Sequence, residues 1–546
     1  MQHSIADMPL EQQIGQLLIA GFRGTTPTPE IIDLIRRCHL GSVILFSRNI
    51  RDNQQVLELT HSLQMIAKEA GQPYPLLIMA DQENGLVNRL GPGTTTFPGN
   101  MALGAIGSEQ IAFDIALATG REMKALGVNM NLAPVLDVNN NPDNPVIGVR
   151  SFGEDPQLVA RLAAAMVRGY RAAGVIADIK HFPGHGDTAV DTHLALPTIP
   201  YGLERLEAVE LVPFRSSIAA GAETAMVGHV YFPQIMADQK LPATVSPAII
   251  QGLLRKDLGF EGVIVSDCLE MGAITDTVGT ERGAVMALQA GTDLILVCHT
   301  YSRQRGSYEA IQAALHSGEV SPEMIRQAAQ RVLRLKARYL SWDDLPTPPV
   351  PEWVGGEEHR RLRDRVYALS TTLVRSDDAL IPLHPRPEER ILVISPPGDR
   401  LTMVEDRGYS AGFLVASIRQ RHAQVDSLLI SAQPGEEECE QVARSASAYD
   451  LVIMVTVNAH LNPAQARLMQ RLARAGRPLI GIAARNPYDL LAFPQLRTYL
   501  VTYEYSEPAL AAAVRVLFGE IQPQGRLPVS LPGLYPRGHR APVGPA

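Results

Sequence analysis

The sequence predicts an α/β protein in which a (β/α)8 TIM-type barrel is followed by a smaller α/β domain. Three observations lead to this fold class. Short apolar runs alternate with helical stretches through the first two thirds of the chain, a proline-rich stretch then interrupts the pattern, and the alternation resumes beyond it. With 546 residues and 46% hydrophobic content, the chain can build two cores.

Seven apolar runs in the first part are interpreted as strands. They span residues 42–46, 76–80, 129–134, 175–180, 224–228, 262–266 and 293–297. Most are dense in Val, Ile and Leu, as expected for parallel strands buried on both faces. Seven runs over roughly 340 residues indicate a (β/α)8 barrel in which one strand escapes detection. A doubly wound open sheet is the alternative, but no G-x-G-x-x-G follows the first run.

A helix and then a group of prolines mark the end of the barrel. Ser321 and Pro322 supply an N-cap and a first-turn proline for a helix that runs to about residue 339. Residues 345–356 carry four prolines, which indicates a stiff linker. We predict a barrel over residues 1–343, a linker over 344–370 and a second α/β domain over 371–546. The predicted strands of the second domain are 391–395, 427–430, 451–455, 479–483 and 499–503.

Composition excludes several classes of protein. A formal net charge of −8 argues against a nucleic-acid surface, which shows a basic stripe. No apolar stretch approaches the roughly 20 residues that span a bilayer, and the N-terminus does not resemble a signal peptide, so we expect no membrane span and a cytoplasmic location. The four cysteines are far apart and form no C-x-x-C pair, which argues against a disulfide framework. No cofactor is predicted.

Residues capable of chemistry come at the ends of several predicted strands. Asp81, the pair Lys180–His181, His229 and Asp267 each end or follow an apolar run. In a barrel the C-terminal ends of all strands point to one face, and that face holds the active site. The sequence therefore predicts that these side chains meet at one mouth.

The densest candidate is the segment 180–193, which holds three His, two Asp and one Lys on a loop rich in Pro and Gly. Three interpretations of this segment compete: a polar loop whose His and Asp side chains bond to each other and to the backbone, a metal site, or an acid/base dyad. The possible zinc ligands are His181, His185, Asp187 and His193. The dyad is favoured over zinc, because such a loop does not hold two ligands on one helical face. Asp191 would orient one ring nitrogen of His193 and leave the other for proton transfer.

The second candidate is Asp267, which directly follows the apolar run 262–266. It either caps the following helix or serves as a nucleophile or metal ligand at the barrel mouth. Its neighbour Cys268 is interpreted as a packing residue. Arg89 and Arg150 would by themselves be surface ion-pair partners, whereas carboxylates and arginines gathered at one mouth suit the binding of sugar hydroxyls.

Four ordered segments together resemble glycoside hydrolase family 3, specifically the two-domain type of its β-N-acetylglucosaminidase branch. They are K-H-F-P-G-H-G-D with the following D-x-H at 180–193, S-D-x-L-x-M at 266–271, D-Q-E-x-G-x-V-x-R at 81–89 and I-G-x-R-S-F at 147–152. The second domain resembles the C-terminal α/β sandwich of that type. The resemblance implies a retaining exo-hydrolase that removes terminal β-linked N-acetylglucosamine from cell-wall or chitin-type oligosaccharides.

The resemblance also implies roles for single residues. Asp267 attacks the anomeric carbon, and His193, oriented by Asp191, acts as acid and then as base. The residues that would hold the terminal sugar are Asp81, Arg89, Arg150, Lys180 and His181. No metal is implied for the reaction.

The sequence departs from the family pattern at four positions and leaves rival functions open. The departures are Asn84, Leu86, Val149 and Asp178. Phosphorolysis by the same site is the nearest rival, because a His tolerates an incoming phosphate better than a carboxylate does. A β-glucosidase is the next, but such members lack this loop and draw a carboxylate from the second domain. A degenerate binding protein and a metal-dependent hydrolase are more distant alternatives.

Overall fold

A computed structural model describes residues 8–188, 196–236, 240–398, 405 and 412–542. These residues form two parallel-rich sheets surrounded by helices. The first sheet carries the predicted barrel, and the second lies in the C-terminal part of the chain.

Eight parallel strands form the first sheet, one more than the sequence predicts. In chain order the strands of this part, including a short hairpin, are β1 (Leu18–Ala20), β2 (Ser42–Ile44), β3 (Leu77–Ala80), β4 (Gln82–Asn84), β5 (Val87–Asn88), β6 (Met130–Asn131), β7 (Ile176–Phe182), β8 (Thr224–Val227), β9 (Val263–Ser266) and β10 (Ile295–Val297). The sheet order is β10-β1-β2-β3-β6-β7-β8-β9, and a parallel bridge between Val265 and Leu294 joins its two edges. The predicted (β/α)8 barrel is confirmed.

The barrel strands form because their residues are apolar on both faces. In β3 and β9 every residue is buried, as the unbroken runs of Leu, Ile, Val and Met predict. The undetected strand is β1, which has only three residues and follows helix α1 (Leu10–Gln16) after one intervening leucine. A short apolar run next to a helix cannot be assigned to a strand from its periodicity.

Helices cover the outside of both sheets. After α1 they are α2 (Pro29–Arg37), α3 (Asn53–Glu69), α4 (Asn100–Ile106), α5 (Glu109–Ala125), α6 (Pro156–Ala173), α7 (Leu203–Ala208), α8 (Leu211–Ala219), α9 (Gly272–Thr275), α10 (Thr280–Ala290), α11 (Tyr301–Ser317), α12 (Pro322–Tyr339), α13 (Glu357–Ser370), α14 (Gly412–Arg419), α15 (Glu436–Ala446), α16 (Pro463–Arg474) and α17 (Glu507–Leu517). Shorter 3-10 helices span Ser47–Asn49, Gly148–Arg150, Ala243–Val245 and Pro487–Ala492, and a π-helix spans Ala248–Asp257. Helix α12 is capped by Ser321, as predicted. Along the described ranges, no helix combines the length and the apolar character needed to cross a membrane.

The second sheet has six strands. They are β11 (Thr372–Ser376), β12 (Ile391–Ser395), β13 (Val425–Leu429), β14 (Leu451–Thr456), β15 (Leu479–Ala483) and β16 (Thr498–Val501), in the order β11-β16-β15-β14-β12-β13. Five of them coincide with or overlap the predicted runs. The strand that the sequence did not indicate is β11, an edge strand that pairs antiparallel with β16. The domain limits stay a prediction, and α13 occupies part of the predicted linker.

The two parts of the chain share a packed junction. Glu504, which follows β16, accepts hydrogen bonds from the backbone N–H of Gly99 at 2.5 Å and from the Tyr367 hydroxyl at 2.5 Å. Burial raises the pKa of Glu504 to about 7. Helix α4 and Val149 of the barrel contribute apolar side chains to the core of the second sheet. The second sheet is therefore anchored beside the loops that follow β3 and β6.

Candidate active site

A cavity of about 410 Å³ opens at the C-terminal ends of the barrel strands. Six of the eight predicted site residues line it, namely Asp81, Arg89, Arg150, Lys180, His181 and Asp267. The structure thus brings together side chains that are up to 186 positions apart in the sequence. The other two predicted residues, Asp191 and His193, lie outside the described residues.

A buried ion network forms one side of the pocket. The Lys180 ammonium contacts Asp81 Oδ1 at 2.7 Å and Glu83 Oε1 at 2.7 Å. The Arg150 guanidinium binds Glu83 with two parallel hydrogen bonds, from Nε at 2.8 Å and from Nη2 at 2.7 Å. Arg89 Nη2 lies 3.6 Å from Asp81 Oδ2. Arg89 and Arg150 are therefore buried wall residues, and not the surface ion-pair partners that each would suggest alone.

The network fixes the charges of its members. Burial opposes ionisation of Glu83, but Arg150 and Lys180 outweigh it and hold the pKa of this carboxyl below its usual range. Burial likewise opposes the charge of Lys180, but Asp81 and Glu83 raise the pKa of its ammonium. Burial also opposes the charge of Arg150, but its ion pair with Glu83 outweighs burial and raises the pKa of the guanidinium. The pocket therefore presents fixed cations and carboxylates to a bound ligand.

A tight hairpin after β3 positions Glu83 and Arg89. Strands β4 and β5 pair antiparallel, and Gly85 and Leu86 connect them. Asn84 and Gly85 have φ values of 69° and 60°, a left-handed conformation that Asn and Gly tolerate best. A Cβ on Gly85 would lie 2.9 Å from Glu504 Oε1 and from the Gly99 Cα, so only Gly fits against the junction. Asn84, one of the departures from the family pattern, is thus compatible with the turn.

A buried aspartate orients His181. Asp137 Oδ2 lies 2.7 Å from His181 Nδ1, and Asp137 Oδ1 accepts the backbone N–H of His185 at 2.7 Å. Burial opposes the charge of Asp137, but His181 and His185 together outweigh it and lower the pKa of the carboxyl. Lys180 and His181 both line the pocket although they are adjacent, and they lie where the register of β7 against β8 shifts between Ile179 and Phe182.

The described part of the 180–193 segment does not have the arrangement of a zinc site. His181 Nδ1 is bound to Asp137, and His185 Nδ1 lies 2.8 Å from the Thr188 hydroxyl. Burial lowers the pKa of His185 to about 4, so its ring is neutral near pH 7. Thr188 precedes residues 189–195 in the sequence and is buried against His185. After these residues in the sequence, the backbone N–H of Ile199 donates to the Tyr231 carbonyl at 2.9 Å.

Asp267 stands at the end of β9 and faces the pocket. Its own N–H donates to the Val227 carbonyl at 3.0 Å, which continues the pairing with β8. The backbone N–H of Cys268 donates to Asp267 Oδ1 at 2.7 Å. The next helix, α9, begins at Gly272 with Met271 as its N-cap, so Asp267 does not cap it. Of the two sequence interpretations, the geometry favours a carboxylate aimed at a ligand.

His229 has a supporting position under the Asp267 loop. It is fully buried, with Nε2 at 2.9 Å from the Cys268 carbonyl and Nδ1 at 2.6 Å from the Thr244 hydroxyl. It is absent from the pocket lining. Its strand-end position predicted a place at the mouth, and the structure instead gives it a contact with the residue that follows Asp267.

Sequence reasoning missed three residues that shape the pocket. Glu83 was part of a recognised segment, but its partners Arg150 and Lys180 are 67 and 97 positions away. Asp137 follows the predicted strand 129–134, a position that could have indicated it. Glu405 comes from the C-terminal part of the chain and also lines the pocket, and nothing in its local sequence marks it.

Glu405 is held by a buried arginine. Arg485, which follows β15, donates from Nη1 to Glu405 Oε1 at 2.5 Å and from Nη2 to Oε2 at 2.6 Å. Both side chains are buried. Both carboxylate oxygens of Glu405 therefore accept hydrogen bonds from the Arg485 guanidinium, an arrangement that favours an accepting role over a proton-donating one.

A closed parallel barrel with a charged pocket at its C-terminal mouth defines a barrel enzyme that acts on a polar substrate. Comparison with known protein families identifies the class of enzyme. Residues 9–335 match the glycosyl hydrolase family 3 N-terminal domain, and residues 371–537 match the glycosyl hydrolase family 3 C-terminal domain. The chain therefore belongs to glycosyl hydrolase family 3 and is a glycoside hydrolase, which confirms the resemblance.

Three similar proteins cover nearly the whole chain. Beta-hexosaminidase A of Pseudoalteromonas piscicida is 30% identical over 96% of this chain and 98% of its own length. A family 3 β-N-acetylglucosaminidase from Paenibacillus sp. str. FPU-7 is 43% identical with a TM-score of 0.90, over 96% of this chain and 99% of that chain. A fungal multi-domain β-N-acetylglucosaminidase of the same family is 44% identical with a TM-score of 0.92. The match covers 98% of this chain but only 62% of the fungal one, which carries a GCN5-related glucosamine N-acetyltransferase region.

Proposed function

We propose that the protein is a retaining exo-β-N-acetylglucosaminidase that hydrolyses terminal β-linked N-acetylglucosamine. The observation that carries the proposal is the presence of Asp267 in one pocket with the Asp81–Lys180–Glu83–Arg150 network. The names of the similar proteins, β-hexosaminidase and β-N-acetylglucosaminidase, support the choice of sugar.

The size and polarity of the pocket suit one terminal sugar. Its volume of about 410 Å³ is in the range of small-molecule sites. Asp81 offers acceptor oxygens for hydroxyl groups, while Lys180 and Arg150 offer donors that are held in place by Glu83. We propose that Asp81, Arg89, Arg150, Lys180 and His181 hold the hydroxyls and the N-acetyl group of this sugar.

The proposed reaction has two steps at the anomeric carbon. Asp267 forms a bond to C1 while the bond from C1 to the leaving oxygen breaks, and His193, oriented by Asp191, gives its proton to that oxygen. His193 then takes a proton from water, whose oxygen attacks C1 and releases Asp267. An imidazole with a pKa near the usual ~6.5 suits both roles near neutral pH.

The finer assignments also belong to this proposal. Cell-wall and chitin-type oligosaccharides are the proposed natural substrates, and the cytoplasm is the proposed location. All four cysteines are buried and unbridged, which agrees with a reducing compartment.

A comparison of two aryl glycosides tests the proposed function. Release of the aryl group from a β-N-acetylglucosaminide is measured against the matching β-glucoside, with and without inorganic phosphate. We expect a strong preference for the N-acetyl sugar and no effect of phosphate. Stimulation by phosphate with formation of the sugar 1-phosphate would make the protein a phosphorylase, and a preference for the glucoside would overturn the sugar assignment.

A further inference from the structure

Two cysteines and a histidine gather at the pocket wall beside Asp267. The sulfur atoms of Cys268 and Cys298 and a ring nitrogen of His299 all lie within 4.8 Å of one another. Cys298 and His299 follow β10, which neighbours β9 in the barrel. Both thiols are buried and His299 is exposed, and all three residues line the pocket. The group is therefore reachable by an ion from the side on which a sugar would enter.

This set of donors suits a thiophilic cation. Zn²⁺ prefers Cys sulfur at about 2.3 Å and His nitrogen at about 2.0–2.1 Å in tetrahedral geometry, which places neighbouring ligand atoms about 3.5–3.8 Å apart. Because no two of these atoms are more than 4.8 Å apart, the spacing needs to contract by at most about 1 Å, which side-chain rotation can supply. Two cysteines and one histidine leave a fourth position for water, as in open zinc sites.

We propose that Cys268, Cys298 and His299 form a binding site for a thiophilic divalent cation such as Zn²⁺, and that occupation of this site inhibits the glycosidase. The ion displaces two thiol protons, which pass to solvent, and forms two metal–thiolate bonds and one metal–imidazole bond. The resulting centre of one dication and two thiolates has no net charge, which suits a buried wall. Sequence reasoning had read Cys268 as a packing residue.

The surroundings hold the three ligand residues in place. Arg48 Nη2 donates to the Cys298 carbonyl at 2.9 Å. The His299 ring packs against Phe46 with centroids 5.2 Å apart, and its backbone N–H donates to Glu270 at 2.5 Å. The His229 contact with the Cys268 carbonyl fixes the third residue.

Inhibition follows from the place of the site. The N–H of Cys268 holds Asp267 Oδ1 at 2.7 Å, so a ligand on Cys268 acts next to the proposed nucleophile. The ion and its water would also occupy part of the space available to the sugar. We therefore expect inhibition by Zn²⁺ to be competitive with the aryl glycoside.

Titration of the reduced full-length protein with Cd²⁺ tests the site without any use of activity. Cadmium–thiolate bonds absorb in the near ultraviolet, and we expect a band that saturates at one ion per chain with release of about two protons. The control is the double variant Cys38→Ser/Cys439→Ser, which retains only the two proposed thiol ligands and must give the same band. Cys38 and Cys439 are buried elsewhere, in the barrel and second-sheet cores.

Three variants complete the test. Cys268→Ser and Cys298→Ser should each weaken Cd²⁺ binding by about 100-fold or more, and His299→Ala, at an exposed position that does not endanger folding, by at least roughly tenfold. Zn²⁺ should then inhibit each variant less, relative to that variant's own activity. An absent band in the native protein, or unchanged affinity in His299→Ala and in both Cys variants, would overturn the proposal. These binding results stand whichever glycoside the enzyme prefers.

Discussion

The two sides of the pocket are built from different chemistry. The side that we propose to bind the sugar, called the binding side below, is formed by Asp81, Glu83, Arg150 and Lys180, and it is a network of buried ions with contacts of 2.7 to 2.8 Å. The side on which we propose that the reaction takes place, called the reaction side below, is formed by Asp267, Cys268 and Cys298 after β9 and β10, and it combines one carboxylate with two thiols. There Asp267 accepts a hydrogen bond from a neutral backbone N–H.

In the proposed reaction, this difference suits one side to binding the sugar and the other side to the chemical step. Charges that neutralise one another in fixed geometry are preorganised donors and acceptors, and they do not need to move when a sugar binds. A nucleophile, by contrast, needs a carboxylate oxygen that can leave its hydrogen bond and form a bond to carbon. We expect changes on the reaction side to lower kcat and changes on the binding side to lower stability and raise KM.

The largest effect should come from Asp267→Ala. Because no second nucleophile is proposed, we expect kcat on an aryl β-N-acetylglucosaminide to fall by about 10⁴-fold or more. Added azide should restore some turnover, since it can attack the face that the missing carboxylate leaves open. Asp276→Ala, at an exposed position in the same loop region, is the control and should retain activity. Near-normal turnover in Asp267→Ala would exclude the covalent mechanism.

His193→Ala should have the next largest effect, and it should depend on the leaving group. General acid–base catalysis contributes about 10²–10⁴-fold, so we expect a loss in this range with a poor leaving group and a smaller loss with an activated aryl group. Measurement of kcat for a series of aryl leaving groups gives the dependence. An equal loss for all of them would contradict the acid role.

Glu405→Gln is the matching variant in the second part of the chain, because Glu405 is a carboxylate from that part that lines the pocket among the described residues. Its two hydrogen bonds from Arg485 favour an accepting role, so we expect a change of less than roughly tenfold in kcat with the poor leaving group. A loss that matches His193→Ala and shares its leaving-group dependence would transfer the acid role to Glu405.

On the binding side, Glu83→Gln should destabilise the fold. The change removes the carboxylate that binds the buried Arg150 and leaves the buried Lys180 with Asp81, and breaking a buried ion pair costs about 3–5 kcal/mol. Urea unfolding measures this loss, and KM for the glycoside should rise. Glu309→Gln removes the solvent-exposed pair with Arg305 and should lower the stability far less than Glu83→Gln does. Equal losses in the two variants would contradict the proposed importance of the network.

Asp178, beneath the binding side, should make stability depend on pH. Burial raises the pKa of Asp178 to about 7 from 3.8, and it outweighs the opposite effects of the nearby Thr224 hydroxyl and Lys180 ammonium. The folded state thus holds the proton more tightly than the unfolded state, so stability falls as the pH rises from about 4 to 7, by at most about 4 kcal/mol. Asp178→Asn should remove this slope.

Thermal unfolding of Asp178→Asn and of the native protein between pH 4.5 and about pH 8 checks this expectation. The gap in Tm should move in favour of the variant as the pH rises. Asp257→Asn, at an exposed position, is the control and should follow the native curve. A gap that does not change with pH would mean that Asp178 is ionised throughout or already protonated throughout.

The sequence predicts best what depends on local patterns. The strands 391–395 and 479–483 coincide with the structure because unbroken apolar runs flanked by polar turns have one interpretation. Strand β11 was missed because it is an edge strand whose last two residues are only partly buried. Asp81 and Asp267 were found because each follows such a run, which in a barrel fixes the face it reaches.

Long-range pairing sets the limit on predicting the site. Glu83 gains its importance from Arg150 and Lys180, and Glu405 reaches the pocket only through the packing of the second sheet on the barrel. No periodicity in the sequence encodes such contacts. Long-range contacts can also keep a predicted residue away from the site. The position of His229 at a strand end predicted that it faces the pocket, but its contacts with Thr244 and the Cys268 carbonyl keep it buried.

Trapping the glycosyl-enzyme tests the central claim most directly. A fluorinated N-acetylglucosaminyl fluoride, which forms the intermediate quickly and releases it slowly, is incubated with the protein, and peptide mass spectrometry locates the attached sugar. We predict one sugar per chain on Asp267, with retention of the β-configuration in the product of the normal substrate. A sugar on Glu405 or Cys268, or an inverted product without any adduct, would contradict the account.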